Sequence, residues 1–275
     1  MTAGLLASIP SPSSPVLEIG PISLRMYGLM IALGVLVALE MARRRFAARG
    51  LDPDDMSAIA LWGVPAGLVG ARLYHVATDW RRFQGEWLDV FKIWEGGLGI
   101  PGGMLLGIVV AIHVARRRGV DVALGLDCAV PSLPLAQAIG RLGNWFNQEL
   151  FGEPTDLPWG LEIDADRRAQ GFERHDTFHP TFLYESLWNL ALVGVLLWID
   201  RRGFLKRGRL VWAYVLGYGL GRLWIESLRI DPASELAGLR VNIWVSGVLI
   251  AAGIVGIAWG GLARDDPVPD AEERA

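Results

Sequence analysis

The sequence predicts an all-α, polytopic membrane protein with about seven transmembrane helices. Apolar residues make up 52% of the chain and charged residues only 20%. The apolar residues are gathered in blocks of roughly 20 residues, about the length of a helix that crosses a hydrocarbon core of ~30 Å. A helix satisfies its backbone hydrogen bonds within one segment, as lipid requires. Each block is therefore assigned to one helix.

Short charged stretches separate seven candidate spans. They cover residues 22–41, 56–78, 94–115, 122–145, 181–199, 210–228 and 241–262. The third is rich in glycine from Gly96 to Gly103, so we expect this stretch to be a loop rather than a regular helix. The fourth contains Pro131 and Pro134, which predict a kink. We predict a single transmembrane domain over residues 1–263 and a short cytoplasmic tail over residues 264–275.

Arginine and lysine in the loops predict the orientation. The short loops 43–49, 116–118 and 201–209 are richer in these residues than the longer loops 79–93 and 150–178. Cytoplasmic loops carry the excess of such residues in membrane proteins. We therefore expect the N-terminus outside, the C-terminus in the cytoplasm, and the two longer loops on the outer side.

Several kinds of function are disfavoured by composition. One cysteine, Cys128, permits neither an intramolecular disulfide nor a cysteine-based zinc site. The four histidines are scattered, so no metal site is predicted. A net charge of −3 gives no indication of nucleic-acid binding.

Two arginines lie where a charge is costly. Arg141 falls in the fourth predicted span and Arg222 in the sixth. A charge near the bilayer centre costs about 2.5–3.5 kcal/mol on insertion scales, so it usually has a partner and a function. On a helix, Arg141 and Asn144 share a face that Gln148 continues. A planar guanidinium beside an amide suits a phosphate ester.

Structural roles are the alternative for both arginines. Arg141 would pair with Glu149, with Gly140 and Gly143 serving as helix-packing glycines. Arg222 would belong to an internal ion pair that holds the helices together.

Polar residues surround Arg222 at helical spacing. Tyr218 and Glu226 lie four residues to either side of it and form one polar stripe on an apolar helix, which Arg229 extends. Two arginines from two spans, both towards the outer side, favour a phospholipid headgroup over a metal or a proton pathway.

A third polar cluster lies at the start of the fifth span. Pro180 suits the first turn of a helix, with His179 just before it and Tyr184 and Glu185 one turn later. Glu185 would orient an arginine or act as a base. A helix-capping histidine with a paired glutamate is the structural alternative. Arg72, in the second span, has a functional and a structural interpretation of equal weight.

These motifs resemble the bacterial phosphatidylglycerol–prolipoprotein diacylglyceryl transferases. The segment from Gly140 to Gly152 looks like that family's signature. Supporting matches keep the family's order along nearly the whole chain. They are Ile19-Gly20-Pro21, Met26-Tyr27-Gly28-Leu29, Gly70-Ala71-Arg72, Trp94-Glu95-Gly96-Gly97, His179-Pro180, Tyr184-Glu185 and Gly217-Tyr218-Gly219 with Arg222 and Glu226.

The resemblance implies a seven-helix enzyme of the bacterial inner membrane. The family moves the diacylglyceryl group of phosphatidylglycerol onto the lipobox cysteine thiol of a preprolipoprotein, the first step of lipoprotein maturation. The products are a thioether and glycerol phosphate. The implied partners are phosphatidylglycerol, preprolipoprotein signal peptides with a lipobox cysteine, and the bilayer. No cofactor and no nucleic acid are implied.

The resemblance also assigns residues. We predict Arg141, Arg222 and Glu185 as catalytic, the two arginines matching the family's essential ones. The predicted substrate-binding residues are Arg141, Asn144, Tyr27, Glu149, Gly152, Tyr218, Glu226, Arg72 and His179.

One departure from the family concerns the third span. Many members carry a histidine within a His-Gly-Gly sequence, and this chain has Pro101 before Gly102 and Gly103. Proline cannot take a proton, so the general base is left open among His75, His179, Glu149 and Glu185.

Three rival functions remain at this point. A transporter would explain charges in the membrane and a broken third span. An inactive family member that binds lipid or a partner would explain Pro101. A phosphatidylglycerol hydrolase would need the same anion site and no cysteine peptide.

Overall fold

Eight helices dominate the computed structural model, which describes residues 8–93 and 96–259. They are α1 (Met26–Ala48), α2 (Pro53–Thr78), α3 (Ile100–Arg117), α4 (Val122–Ala129), α5 (Ser132–Asn147), α6 (Thr181–Arg202), α7 (Leu210–Glu226) and α8 (Val241–Trp259). The predicted tail 264–275 and the Trp94-Glu95 pair lie outside the described residues.

The prediction of an all-α, polytopic membrane protein is confirmed. Six helical segments are long and apolar enough to cross a membrane: α1, α2, α3, α4 and α5 together, α6, and α8. The remaining predicted span is the 17-residue helix α7, which is about 25 Å long at 1.5 Å per residue.

Short antiparallel hairpins occur outside the helices. β1 (Val16–Ile19) pairs with β2 (Ile22–Arg25) just before α1. β3 (Leu161–Glu162) pairs with β4 (Thr177–Phe178) before α6. β5 (Glu235–Leu236) pairs with β6 (Leu239–Arg240) between α7 and α8. Ala237 and Gly238 form the last turn with positive φ angles of 52° and 76°, which brings Arg240 back beside the end of α7.

The chain divides into two compact units. The first comprises the described residues of Met1–Ala38 and Ala129–Ala275, and the second is Leu39–Cys128. In the first unit α5 packs against α6, α6 against α7, and α7 against α8. The loop between α5 and α6 contributes Phe151, Leu161, Ile163 and Phe178 to an apolar core that also contains Phe182 of α6.

The second unit is built on a close contact between α2 and α3. A Cβ atom on Gly70 would collide with the carbonyl oxygen of Gly102, and one on Gly103 would lie 3.2 Å from the Ala71 Cβ. Only glycine permits the two backbones to approach this closely.

The prediction of a loop from Gly96 to Gly103 is wrong for its second half. Gly96 and Gly97 are non-helical, with φ angles of 95° and 73°. Helix α3 nevertheless begins at Ile100 and includes Pro101, which suits a first turn because its nitrogen needs no hydrogen-bond acceptor there. The packing of Gly102 and Gly103 against α2 outweighs their low helix propensity.

At the predicted kink in the fourth span, the helix is interrupted for two residues. Helix α4 ends at Ala129, and α5 begins at Ser132. Pro131 interrupts the helical ladder between them, and the Ser132 hydroxyl donates to the Ala129 carbonyl at 2.6 Å.

Candidate functional site

Glu185 joins the two arginines that the sequence singles out. Its Oε2 lies 2.5 Å from Nε of Arg141, and its Oε1 lies 3.4 Å from Nη1 of Arg222. The three side chains come from α6, α5 and α7. Glu185 is buried and both arginine side chains are mostly buried, so the shared carboxylate holds two guanidinium groups at one place.

Glycines on these helices make the close approach possible. A Cβ on Gly143 of α5 would lie 2.7 Å from the Tyr27 ring. A Cβ on Gly221 of α7 would collide with the indole of Trp188 on α6. Gly140 differs from the prediction, since no atom lies within 4 Å of the place of its Cβ. Gly143 alone of the predicted pair packs closely.

Glu226 is a second and fully buried carboxylate centre. Its Oε2 lies 2.8 Å from Nη2 of Arg222 and 3.7 Å from Nη1 of Arg229. Its Oε1 accepts hydrogen bonds from Nε of Arg240 at 2.7 Å and Nδ2 of Asn242 at 3.0 Å. Glu226 thus contacts Nη2 of Arg222, while Glu185 contacts Nη1.

Asp231 is the third carboxylate that contacts these arginines. It accepts two hydrogen bonds from Arg229, at 2.7 and 2.8 Å, and lies 3.2 Å from Nη2 of Arg240. We define the arginine–carboxylate cluster as Arg141, Arg222, Arg229, Arg240, Glu185, Glu226 and Asp231. With four arginines and three carboxylates the cluster has an excess of positive charge, which suits an anionic ligand.

Asp231 is held in its ionised form. Burial opposes ionisation, but the hydrogen bonds and charge of Arg229, with the charge of Arg240, keep the pKa of Asp231 below its ordinary value. Its contribution to folding stability is therefore present above the pKa of an unfolded aspartate and is lost as the pH falls through the lowered value.

Sequence reasoning missed Arg240, Asn242 and Asp231. They lie beyond the end of α7, where Arg240 counts as an ordinary loop charge. The Ala237-Gly238 turn was the available signal, because a two-residue hairpin returns the chain to the point it left.

Of the three residues predicted to share one polar face of α5, Arg141 and Asn144 lie together and Gln148 does not. Arg141 donates to Oδ1 of Asn144 at 3.3 Å, and Asn144 donates to Glu149 at 2.8 Å. The alternative pairing of Arg141 with Glu149 is wrong, because Glu185 takes that place. Gln148 leaves the helical face: it has a φ of 52° and donates to Asp164 at 2.6 Å.

Gly152 and His179 lie side by side. The Gly152 amide donates to the His179 carbonyl at 2.9 Å, and a Cβ on Gly152 would lie 2.8 Å from the Leu228 carbonyl oxygen. The His179 ring nitrogen Nδ1 lies 3.0 Å from the Tyr184 hydroxyl, which accepts from Trp159. The Tyr184 hydroxyl therefore links the His179 ring to the Trp159 indole.

Two further predicted substrate-binding residues, Tyr218 and Tyr27, lie in different surroundings. Tyr218 lines a small cavity with Glu185 and Arg222. Tyr27 is partly exposed beside Gly143. Within the described residues, no group of three histidine, cysteine, aspartate or glutamate side chains could hold a metal ion.

Comparison with known proteins shows the family. A family model described as prolipoprotein diacylglyceryl transferase matches residues 15–259. The chain belongs to this family.

Close relatives support this membership. A protein of Frankia alni named phosphatidylglycerol–prolipoprotein diacylglyceryl transferase is 50% identical over 98% of this chain and 72% of its own length. One of the same name from Streptomyces griseus is 50% identical over 91% of this chain and 77% of its own length. A Streptomyces coelicolor protein named phosphatidylglycerol–prolipoprotein diacylglyceryl transferase 1 is 51% identical over 88% of this chain and 70% of its own length.

Two residues singled out from the sequence belong to the second unit. Arg72 is buried, and its guanidinium donates to the backbone carbonyls of Asp89, Val90, Gly96 and Gly97 at 2.5–3.1 Å. Arg72 therefore fixes the segment between α2 and α3, and its substrate-binding role stays a prediction. Pro101 lies in the first turn of α3.

Replacing Glu226 by glutamine is expected to destabilise the protein by about 3 kcal/mol, because it removes the fully buried negative charge that contacts Arg222, Arg229 and Arg240. These arginines then keep only Glu185 and Asp231 as charged partners. Equilibrium unfolding of the detergent-solubilised protein measures this loss. The matched control is Glu235→Gln on the exposed β5 strand, which should change stability by less than about 0.5 kcal/mol. Equal effects of the two substitutions would contradict the structural importance of Glu226.

Proposed function

We propose that this chain transfers the diacylglyceryl group of phosphatidylglycerol to the lipobox cysteine of a preprolipoprotein. Sulfur forms a bond to the glycerol C3 of the lipid, the C3–O bond to phosphate breaks, and glycerol phosphate leaves. The thiol proton is released in the same reaction. The observation that carries the proposal is the convergence of Arg141 and Arg222 on one carboxylate, Glu185, in a member of this family.

The two arginines bind the phosphate in this mechanism. Glu185 and Glu226 orient Arg222, and Glu185 orients Arg141. A guanidinium has five N–H donors, so each arginine keeps donors for a phosphate oxygen. Preorganised positive charge stabilises the negative charge that develops on the leaving oxygen.

The same positive field acts on the nucleophile. The thiolate is the reactive form of cysteine, and nearby arginines lower the pKa of a thiol. We propose that the excess positive charge of the arginine–carboxylate cluster promotes thiol ionisation. This reduces the demand on a dedicated base and accounts for an active enzyme with Pro101.

Neighbouring residues shape the binding site. Asn144 holds Arg141 and Glu149 together, and Gly152 packs closely against His179, where a side chain would not fit. We propose that these residues, with Tyr27 and Tyr218, line the path of the headgroup. The setting is the bacterial inner membrane, with the loop between α5 and α6 on the outer side.

A transfer assay tests the proposal. Purified protein is mixed with phosphatidylglycerol and a lipobox peptide, and mass spectrometry follows the peptide. A diacylglyceryl adduct on the cysteine peptide, and none on its Cys→Ser control, is the expected result. Lipid cleavage without adduct would favour the hydrolase. An intact lipid and an unmodified peptide, with folded protein, would favour the inactive family member.

A further inference from the structure

Backbone strain occurs on both sides of Glu149, one of the predicted substrate-binding residues. In the part of the chain that the structure describes, three residues other than glycine have positive φ angles: Gln148 at 52°, Leu150 at 58° and Ala237 at 52°. The first two flank Glu149 directly. A left-handed backbone is unfavourable for a residue with a Cβ atom, so it persists only where surrounding contacts hold it, often at functional sites.

The side chain of Gln148 supplies such contacts. This residue caps the end of α5 and is 7% exposed. Its Oε1 accepts a hydrogen bond from the Asp164 amide at 2.9 Å. Its Nε2 donates to Oδ2 of Asp164 at 2.6 Å and to the Pro12 carbonyl at 3.3 Å. Both ends of the carboxamide are therefore used, and they join the end of α5 to two other segments of the chain.

Gln148 stands where glycine is the usual residue. Helices commonly end with a glycine in the left-handed conformation, which glycine adopts without strain. Glutamine at this position accepts the strain and makes three side-chain hydrogen bonds. The turn is thus fixed to its surroundings, which a glycine could not achieve.

The turn at Gln148 directs Glu149 back to α5. The Glu149 amide donates to the Asn144 carbonyl at 3.2 Å. Oε1 of Glu149 accepts from Nδ2 of Asn144 at 2.8 Å and from Nδ2 of Asn147 at 3.0 Å. Oδ1 of Asn144 in turn accepts from Nη1 of Arg141 at 3.3 Å. The conformation of Gln148 is therefore linked to the orientation of one of the two arginines of the functional site.

We propose that Gln148 is a positioning residue for diacylglyceryl transfer. The inference rests on the proposed function, in which Arg141 binds the phosphate. The Gln148 side chain holds the turn that places Glu149 against Asn144, and Asn144 fixes the guanidinium of Arg141. Gln148 acts in this way without touching either substrate.

Gln148→Gly tests this role, because it removes the side chain and still permits the left-handed turn. We expect kcat for transfer to a lipobox peptide to fall about tenfold per mole of folded protein, since a small displacement of a positioned group slows the reaction. The Tm should stay close to that of the wild-type protein, because relieved backbone strain offsets the lost hydrogen bonds. The matched control is Ala237→Gly, which relieves the same kind of strain and removes no side-chain hydrogen bond, so its kcat should not change.

A double-mutant cycle shows whether Gln148 acts through Asn144. Asn144→Leu breaks the link between Glu149 and Arg141. Adding Gln148→Gly to this variant should lower kcat by less than about twofold, because the effects of coupled residues are not additive. Gln148→Asn provides the same test should the glycine variant not fold, since asparagine tolerates the left-handed backbone and its side chain is one methylene shorter.

Three results would overturn the inference. The first is an unchanged kcat in the folded Gln148 variant. The second is a loss of transfer only in proportion to the loss of folded protein, which would assign Gln148 to folding alone. The third is the full tenfold loss in the Asn144→Leu background. Absence of transfer by the wild-type protein would instead overturn the proposed function, and with it this inference.

Discussion

Replacing Arg222 by alanine is expected to reduce diacylglyceryl transfer at least about 1,000-fold, because it removes one of the two charges that bind the phosphate. Arg141→Ala should have an effect of the same order. The expected loss is in kcat as well as in kcat/KM, since the charge on the leaving oxygen is largest in the transition state. Initial rates with the lipobox peptide measure it.

The fold should survive these substitutions. Without Arg222, Glu226 keeps Arg229, Arg240 and Asn242, and without Arg141, Glu185 keeps Arg222. Arg118→Ala is the matched control, because Arg118 pairs with Asp55 in the other unit and should leave transfer near the wild-type rate. Near-normal turnover by a folded Arg222→Ala or Arg141→Ala protein would show that the assigned phosphate site is wrong.

Replacing Glu185 by glutamine has the second-largest expected effect. Glutamine keeps the shape of the side chain and removes the negative charge that lies between two guanidinium groups. Arg141 and Arg222 then repel each other and lose their fixed orientation. We expect kcat/KM for transfer to fall about 100-fold, in the range found when one preorganised charge-stabilising group is lost.

A salt-bridged glutamate elsewhere provides the control for Glu185. Glu40 pairs with Arg44 on α1 and is half-exposed, so Glu40→Gln should leave transfer unchanged. An intact rate for Glu185→Gln would mean that the bound phosphate itself orders the arginines. The shared carboxylate would then contribute to the fold alone.

The central residues of the site could be predicted from the sequence because a charged residue within an apolar segment is energetically costly and easy to recognise. Arg141, Arg222 and Glu185 are charges within apolar segments, which need partners. Arg240 and Asp231 lie in a polar loop where charge has no cost, so their part in the cluster depends on the hairpin that returns Arg240 to α7. The pairing of Arg141 with Glu185 depends on contact between helices far apart in sequence.

Most of the membrane-spanning helices could also be predicted from the sequence. Long apolar blocks gave the spans, since length and hydropathy are local properties. The sequence does not predict the start of α3 at Ile100, because glycine and proline are poor helix formers in isolation. In the folded chain, the close packing of Gly70 against Gly102 stabilises that turn. Tertiary contact overrides intrinsic propensity at this point.

Binding of two related lipids tests most directly whether Arg141 and Arg222 hold the phosphate. Phosphatidylglycerol and diacylglycerol share their acyl chains, and only the first has the phosphate. The wild-type protein should bind phosphatidylglycerol at least about tenfold more tightly, a difference of ~1.4 kcal/mol. The Arg141→Ala/Arg222→Ala double variant should bind the two lipids equally well. A double variant that still prefers phosphatidylglycerol to the same degree would contradict the assignment of the phosphate to these two arginines.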